Sequence, residues 1–456
     1  MTMRGLVKTL LWAMMVTLPF LACKRLVDTP TPQNRQTADR VFSNDAGAQE
    51  AMTGCYIDMM NTVRSLMNGG ISLDAGLTSD ELKCLSPALP EDSFYLDSLT
   101  PGNLVCTDLF STAYNLIYDW NSVLAGLSTS TGVSAPVKAA LQGEATFNRA
   151  VLYFYLVNLY GDVPLALGTD YAVNQKLPRM AVNSVYLQVV SDLEEAIARL
   201  PPDYPGDGER SRPNQVAARA LLARVWLYEG QWAAAESMAT QVIADGRYQL
   251  VANPDSVFLA GSREAIWQLQ PVHGRMATAD AGAFLRLLAG KPNFVLTQQL
   301  SASFETGDLR KVHWTKNSLY GAYPYKYKQI AASGVPPEYE MVLRLAEQYL
   351  IRAEARAQEG DVAGAMADLN IVRARSGLAA TTATGQAGVL AAILHERRVE
   401  LFTEWGHRWL DLKRLGQADA VLSIEKNPGW QAKDTLYPIP ATQLLASPGM
   451  QQNPGY

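Results

Sequence analysis

The sequence predicts a mostly helical (all-α) protein: a tetratricopeptide-like scaffold with long irregular insertions and little β-structure. Three observations carry this. Residues 219–242 and 346–372 each read as helix, break, helix, with Glu229-Gly230 and Glu359-Gly360 at the breaks. Ala223 and Ala353 precede the two glycines by seven residues, and Ala235 and Ala365 follow them by five, so small side chains stand where antiparallel helices approach closely. About 130 residues separate the two glycines, so insertions interrupt the units, and such insertions usually carry a solenoid's binding surface.

From the N-terminus, Arg4 and Lys8 precede an apolar stretch from Leu10 to Ala22, broken only by Thr17 and Pro19. This is the pattern of a signal peptide over residues 1–22, shorter than the ~20 apolar residues a membrane-spanning helix needs. It ends in Ala22-Cys23, a lipoprotein cleavage pattern that leaves Cys23 as the lipidation site; the alternative is a secretory signal followed by an incidental Cys. Two or more acyl chains anchor stably where one does not. Residues 23–40 hold that Cys and a polar tether with Pro30 and Pro32. Residues 41–456 read as a single domain: an N-terminal part 41–248, a loop-rich insertion 249–338 and a C-terminal helical part 339–456.

Ser43 or Asn44 caps a first helix, along which Ala48, Met52, Cys55 and Met59 recur at helical spacing. Residues 68–103, broken by Gly69, Gly70, Pro87, Pro90 and Pro101, read as a long loop. Helices follow at 104–127 and 136–160. The second carries Phe147, Val151, Phe154 and Tyr155 on one side, which is core packing, and stops at Gly161-Asp162-Val163-Pro164. A further helix, 183–200, ends at Pro201-Pro202. Alternation in residues 265–270 reads as a short strand, and 390–402 as helix.

The composition narrows the function. Hydrophobic residues make up 48% and charged residues 18%, a globular balance, and the net charge is −5 with no basic run, which disfavours nucleic acid as a partner. No G-x-S-x-G, H-E-x-x-H or phosphate-binding loop occurs, and the four His have no metal-ligand spacing. No cofactor, metal or catalytic residue is expected. Cys55, Cys84 and Cys106 read as small buried hydrophobes, although an exported chain can oxidise one pair.

Several segments together resemble the SusD/RagB family of outer-membrane nutrient-binding lipoproteins. They are Asp28-Thr29-Pro30 and Val41-Phe42-Ser43-Asn44, then Arg149-Ala150 and Tyr160-Gly161-Asp162-Val163-Pro164-Leu165. The C-terminal third adds Leu343-Arg344-Leu345-Ala346-Glu347, Tyr349-Leu350-Ile351-Arg352-Ala353-Glu354 and Leu369-Asn370-Ile371-Val372-Arg373-Ala374-Arg375. It continues through Glu396-Arg397-Arg398-Val399-Glu400-Leu401, Gly406-His407-Arg408-Trp409-Leu410-Asp411 and the Pro-bearing ends. Lys24-Arg25 depart from the acids that often follow the lipidated Cys. The resemblance implies a cell-surface protein, anchored to the outer membrane through its lipid and facing the exterior. It implies that the protein binds an oligosaccharide glycan without chemistry and delivers it to a SusC-like TonB-dependent transporter. A peptide-binding RagB-like member and a tetratricopeptide protein-interaction scaffold are the alternatives. The charged and Trp409-containing motifs read as structural. The implied ligand residues come from the first long loop and the insertion. They are Asp80, Glu81, Phe94 and Tyr95 in the loop, and Trp314, Asn317, Tyr320, Tyr323 and Tyr325 in the insertion. The insertion's aromatic cluster reads equally as a sugar platform or as loop packing.

Overall fold

Helical periodicity gives each helix one apolar stripe, and the fold is the order in which those stripes are covered. A computed structural model describes residues 38–206, 208–272, 277–285, 287, 288, 290–330, 337–447 and 449–456. The expected leader, Cys23 and all but the last residues of the tether lie outside the described residues. Among the described residues no helix is long and apolar enough to cross a membrane.

Helix α1 (Asp45–Asn61) starts at Asn44, whose side chain accepts the Gly47 N–H. The chain then turns at Gly69, φ +86°, into α2 (Ile71–Thr78), every residue of which is buried. The segment expected to be a loop is therefore largely ordered and partly core: the glycine supplies a left-handed turn, and the helix after it buries Ile71, Leu73, Ala75 and Leu77 together with the polar Ser72, Asp74 and Thr78. Strand β1 (Leu82–Cys84) and a short helix, Asp92–Tyr95, complete it.

Helices α3 (Leu104–Thr129), α4 (Ala135–Tyr160), α5 (Val182–Arg199), α6 (Gln215–Tyr228) and α7 (Trp232–Ile243) follow. Each packs on the next. The insertion contributes β2 (Ala265–Leu269), β3 (Phe294–Leu296) and a hairpin of β4 (Thr315–Ser318) and β5 (Gly321–Pro324). After it come β6 (Glu340–Arg344), α8 (Leu345–Gln358), α9 (Val362–Arg375), α10 (Gly385–Glu400) and α11 (His407–Arg414).

The two glycine-centred units are helical hairpins, turning at Gly230 (φ +67°) and Gly360 (φ +89°). They stack directly: Ala223, Leu227, Ala235 and Ala239 of the first share one cluster with Ile351 and Ala355 of the second. Ala353 and Ala365 belong to the next layer, with Leu350, Leu369 and Val372. The insertion is thus looped out between units that touch.

Two antiparallel pairings stitch the insertion back, and a third closes a hairpin within it. β2 pairs with β6, β1 with β3, and β4 with β5. β2 was expected to have one polar face, yet all five residues are buried. Gln268 is satisfied there, accepting the Gly261 N–H at 3.0 Å and donating to the Leu259 carbonyl at 2.9 Å. Strand β6, for which the sequence predicts no element, is held by β2, and the helix expected from Ala346 begins at Leu345.

A buried ionic network ties the insertion to the C-terminal part. Arg310, just before β4, pairs with Asp308, Glu396 and Glu400, and Arg344 with Glu264, Glu400 and Glu404. Arg375 also reaches Glu400, and Arg397 pairs with Asp411. The family-like charged motifs are structural in this sense. Cys55, Cys84 and Cys106 are free and buried.

Candidate functional site

The β1–β3 pairing lays the insertion across the first segment, with Leu82 opposite Leu296. The β4–β5 hairpin packs on β3, and Gly321, φ +132°, sits where a Cβ would touch Val295 at 3.5 Å. Between these elements opens a cleft of about 570 Å³. Asp80, Lys83 and Tyr95 line one wall; Gln298, Gln299, Asn317 and Tyr320 line the other, with Glu425 and Lys426 at the edge. A second cleft of about 460 Å³, bordered by Lys311, Val312 and Thr315, adjoins it through Leu296, Ser301, Asn317 and Ala322.

Of the nine implied ligand residues, four meet here: Asp80, Tyr95, Asn317 and Tyr320. Tyr320 is 52% exposed near the hairpin tip, and Lys291 Nζ stands 5.6 Å from its ring. Tyr95 is half-buried beneath Lys426, and burial, aided by Asp92, raises its phenol. Asn317 is exposed and reaches both clefts. Asp80 has both oxygens committed: Arg408 donates at 2.7 and 2.9 Å and Arg398 at 2.7 Å. Burial alone would raise its carboxyl, but these guanidiniums outweigh it and hold it below the usual range.

Four others are packing residues, which corrects the expectation for them. Trp314 is fully buried; its indole N–H donates to the Pro254 carbonyl at 3.0 Å, its edge meets Phe258, and Lys326, Arg344 and Arg375 cover its ring. Tyr323 is buried on β5. Phe94 is buried edge-on to Tyr437 at 5.3 Å. Glu81 is buried, its Oε2 accepts the Thr403 N–H at 3.1 Å, and burial pushes its carboxyl up to about 8. None of the four offers a surface to a ligand. Tyr325 lies between Lys316 and Lys328, 4.9 and 4.7 Å from its ring, and lines neither cleft.

Lys83, Gln298, Gln299, Ser301 and Lys311 were not singled out from the sequence. A signal existed for the glutamines: Thr297-Gln298-Gln299 follows the apolar Phe294-Val295-Leu296, and Thr297 caps the short helix Gln298–Ser303. Chemically, the cleft offers tyrosine faces, side-chain amides and hydroxyls, the equipment for holding a polar ring compound. A glycosidase needs two carboxylates free to act, and Asp80 is locked by two arginines.

The model of a family described as starch-binding and associating with the outer membrane (SusD-like_3) matches residues 84–227, and that of the SusD family (SusD_RagB) matches residues 293–456. A SusD-like protein of Formosa agariphila is 24% identical over 96% of this chain and 98% of its own. A SusD superfamily protein of Parabacteroides distasonis superposes with a TM-score of 0.80 at 22% identity, covering 92% of this chain and 100% of the other. A laminarin-binding SusD-like protein superposes at 0.76 with 25% identity, covering 91% and 100%.

Proposed function

The chain belongs to the SusD/RagB family, whose members are outer-membrane associated, and on that premise we propose that it captures a glycan in the cleft between β1 and the β4–β5 hairpin. The observation carrying the placement is the convergence of Tyr95 and Tyr320 with the Asn317, Gln298 and Gln299 amides on one concave surface. A relative that binds laminarin supports the ligand class. In this reading the protein does no chemistry. It is held at the outer face of the outer membrane through Cys23 and passes its ligand to a SusC-like TonB-dependent transporter. Capture before transport needs only millimolar to micromolar affinity, about −4 to −8 kcal/mol, which a few ring contacts and hydrogen bonds supply.

The test is calorimetric binding to a panel of polysaccharides, oligosaccharides and peptides, repeated with Tyr320→Ala and Tyr95→Ala. One glycan class bound by the parent and lost in both variants, with unfolding unchanged, is the expected result. Peptides bound and no glycan would move the protein to the RagB-like reading.

A further inference from the structure

We infer that the glycan is acidic, bearing carboxylate or sulfate groups along its chain; this rests on the glycan reading above. The basis is an imbalance of charge on the concave surface. Asp80 is neutralised by Arg398 and Arg408; burial and the neighbouring Asp80 raise the Glu425 carboxyl, and the same two guanidiniums oppose that rise. Lys426 is held by Asp97 at 2.9 Å. These acids and bases cancel. Three lysines around the clefts do not. Lys83 points outward from β1 into the first cleft, and Lys311 borders the second. Lys291 stands beside the Tyr320 ring and donates to the Leu85 carbonyl at 2.8 Å. None of the three forms an ion pair with an acid among the described residues, in a protein whose overall charge is −5.

The placement also matters. Like charges on a concave, partly desolvated surface focus the field and raise the local concentration of an oppositely charged ligand. Lys83 and Lys311 sit in adjoining clefts joined at Asn317 and Ala322, so one chain crossing both meets a cation in each. The amides of Gln298, Gln299 and Asn317 accept either a neutral or a charged sugar, which leaves the lysines to set the preference.

The experiment is calorimetry on the purified protein with five probes at low and high salt: an oligogalacturonate, its fully methyl-esterified counterpart, a sulfated oligosaccharide, a neutral β-glucan and a poly-glutamate peptide. The acid form, the sulfated form or both should bind roughly tenfold tighter than the uncharged probes, with the gap closing at high salt. Whichever acidic arm binds identifies carboxylate or sulfate as the group read. The same gap should close in a Lys83→Gln/Lys311→Gln double variant. Both side chains are exposed, so its unfolding midpoint should match the parent's. Binding of the ester or β-glucan as tightly as the acidic probes, insensitive to salt and to the lysines, overturns this inference and leaves the glycan reading standing. Binding of the peptide alone, or of no glycan in any arm, overturns both.

Discussion

Replacing Glu400 with Gln tests the ionic network that holds the hairpin in place. Glu400 is fully buried at the end of α10. It accepts from Arg344 at 2.5 Å and Arg310 at 2.8 Å, and from Arg375. Burial alone would raise its carboxyl; the charges of Arg375, Arg344 and Arg310 outweigh that and hold it well below the usual range. A depressed carboxylate contributes stability at pH values above its unfolded pKa of ~4.3, lost as pH falls through the folded value. Removing one member of a buried charge network costs about 3–5 kcal/mol, because the partners stay buried without their counter-charge. Gln keeps the shape and one acceptor, so the lower end, about 3 kcal/mol, is expected at pH 7. Urea unfolding measures it. Adding Arg375→Met should cost less in the variant than in the parent, with a coupling of about 1–3 kcal/mol. The gap between parent and variant should shrink as pH falls below 4. A loss under about 1 kcal/mol at pH 7, or a gap independent of pH, would refute the reasoning. Because Arg310 lies in the short helix Leu309–His313 that leads into β4, the variant should also weaken ligand binding without touching the cleft.

Trp314→Ala should lose about 3–5 kcal/mol of stability, whereas Tyr320→Ala, half exposed, should stay within about 0.5 kcal/mol; chemical denaturation separates core from platform. Gly360→Ala should cost about 1–2 kcal/mol from its left-handed backbone alone, since open space surrounds it, while Gly388→Ala inside α10 should stabilise by about 0.5–1 kcal/mol; equal effects would contradict the turn assignment. Asp74 is buried with neither carboxylate oxygen hydrogen-bonded among the described residues, and burial, opposed by Arg64, pushes its pKa up to about 8. A raised carboxyl gives stability at low pH that is lost as pH climbs from ~4 towards 8, so Asp74→Asn should gain on the parent between pH 5 and pH 8, and parallel stability curves would contradict this.

The helical hairpins were legible because their signals are local. The spacing of Ala223, Gly230 and Ala235 needs only neighbours within two turns to be read, and its repeat at Ala353, Gly360 and Ala365 confirmed the unit. What decides the site is not local. Trp314 and Tyr320 sit six residues apart in the same irregular stretch. Trp314 goes inward because Phe258 and the Pro254 carbonyl meet it, and Tyr320 outward because the hairpin turns there. Asp80 faces the cleft with both oxygens occupied by Arg398 and Arg408, more than 300 residues away. Residues 340–344 show the same limit: nothing local marks them as a strand, and it is the distant strand β2 that makes them β.

The most direct test of the central claim is a crystal structure of the protein with an oligosaccharide that calorimetry shows to bind. The account predicts sugar density between Tyr95 and Tyr320, extending past Asn317 towards Lys311. Density elsewhere, as in the shallow groove formed by residues 249–263, with the β4–β5 cleft left to solvent, would contradict it.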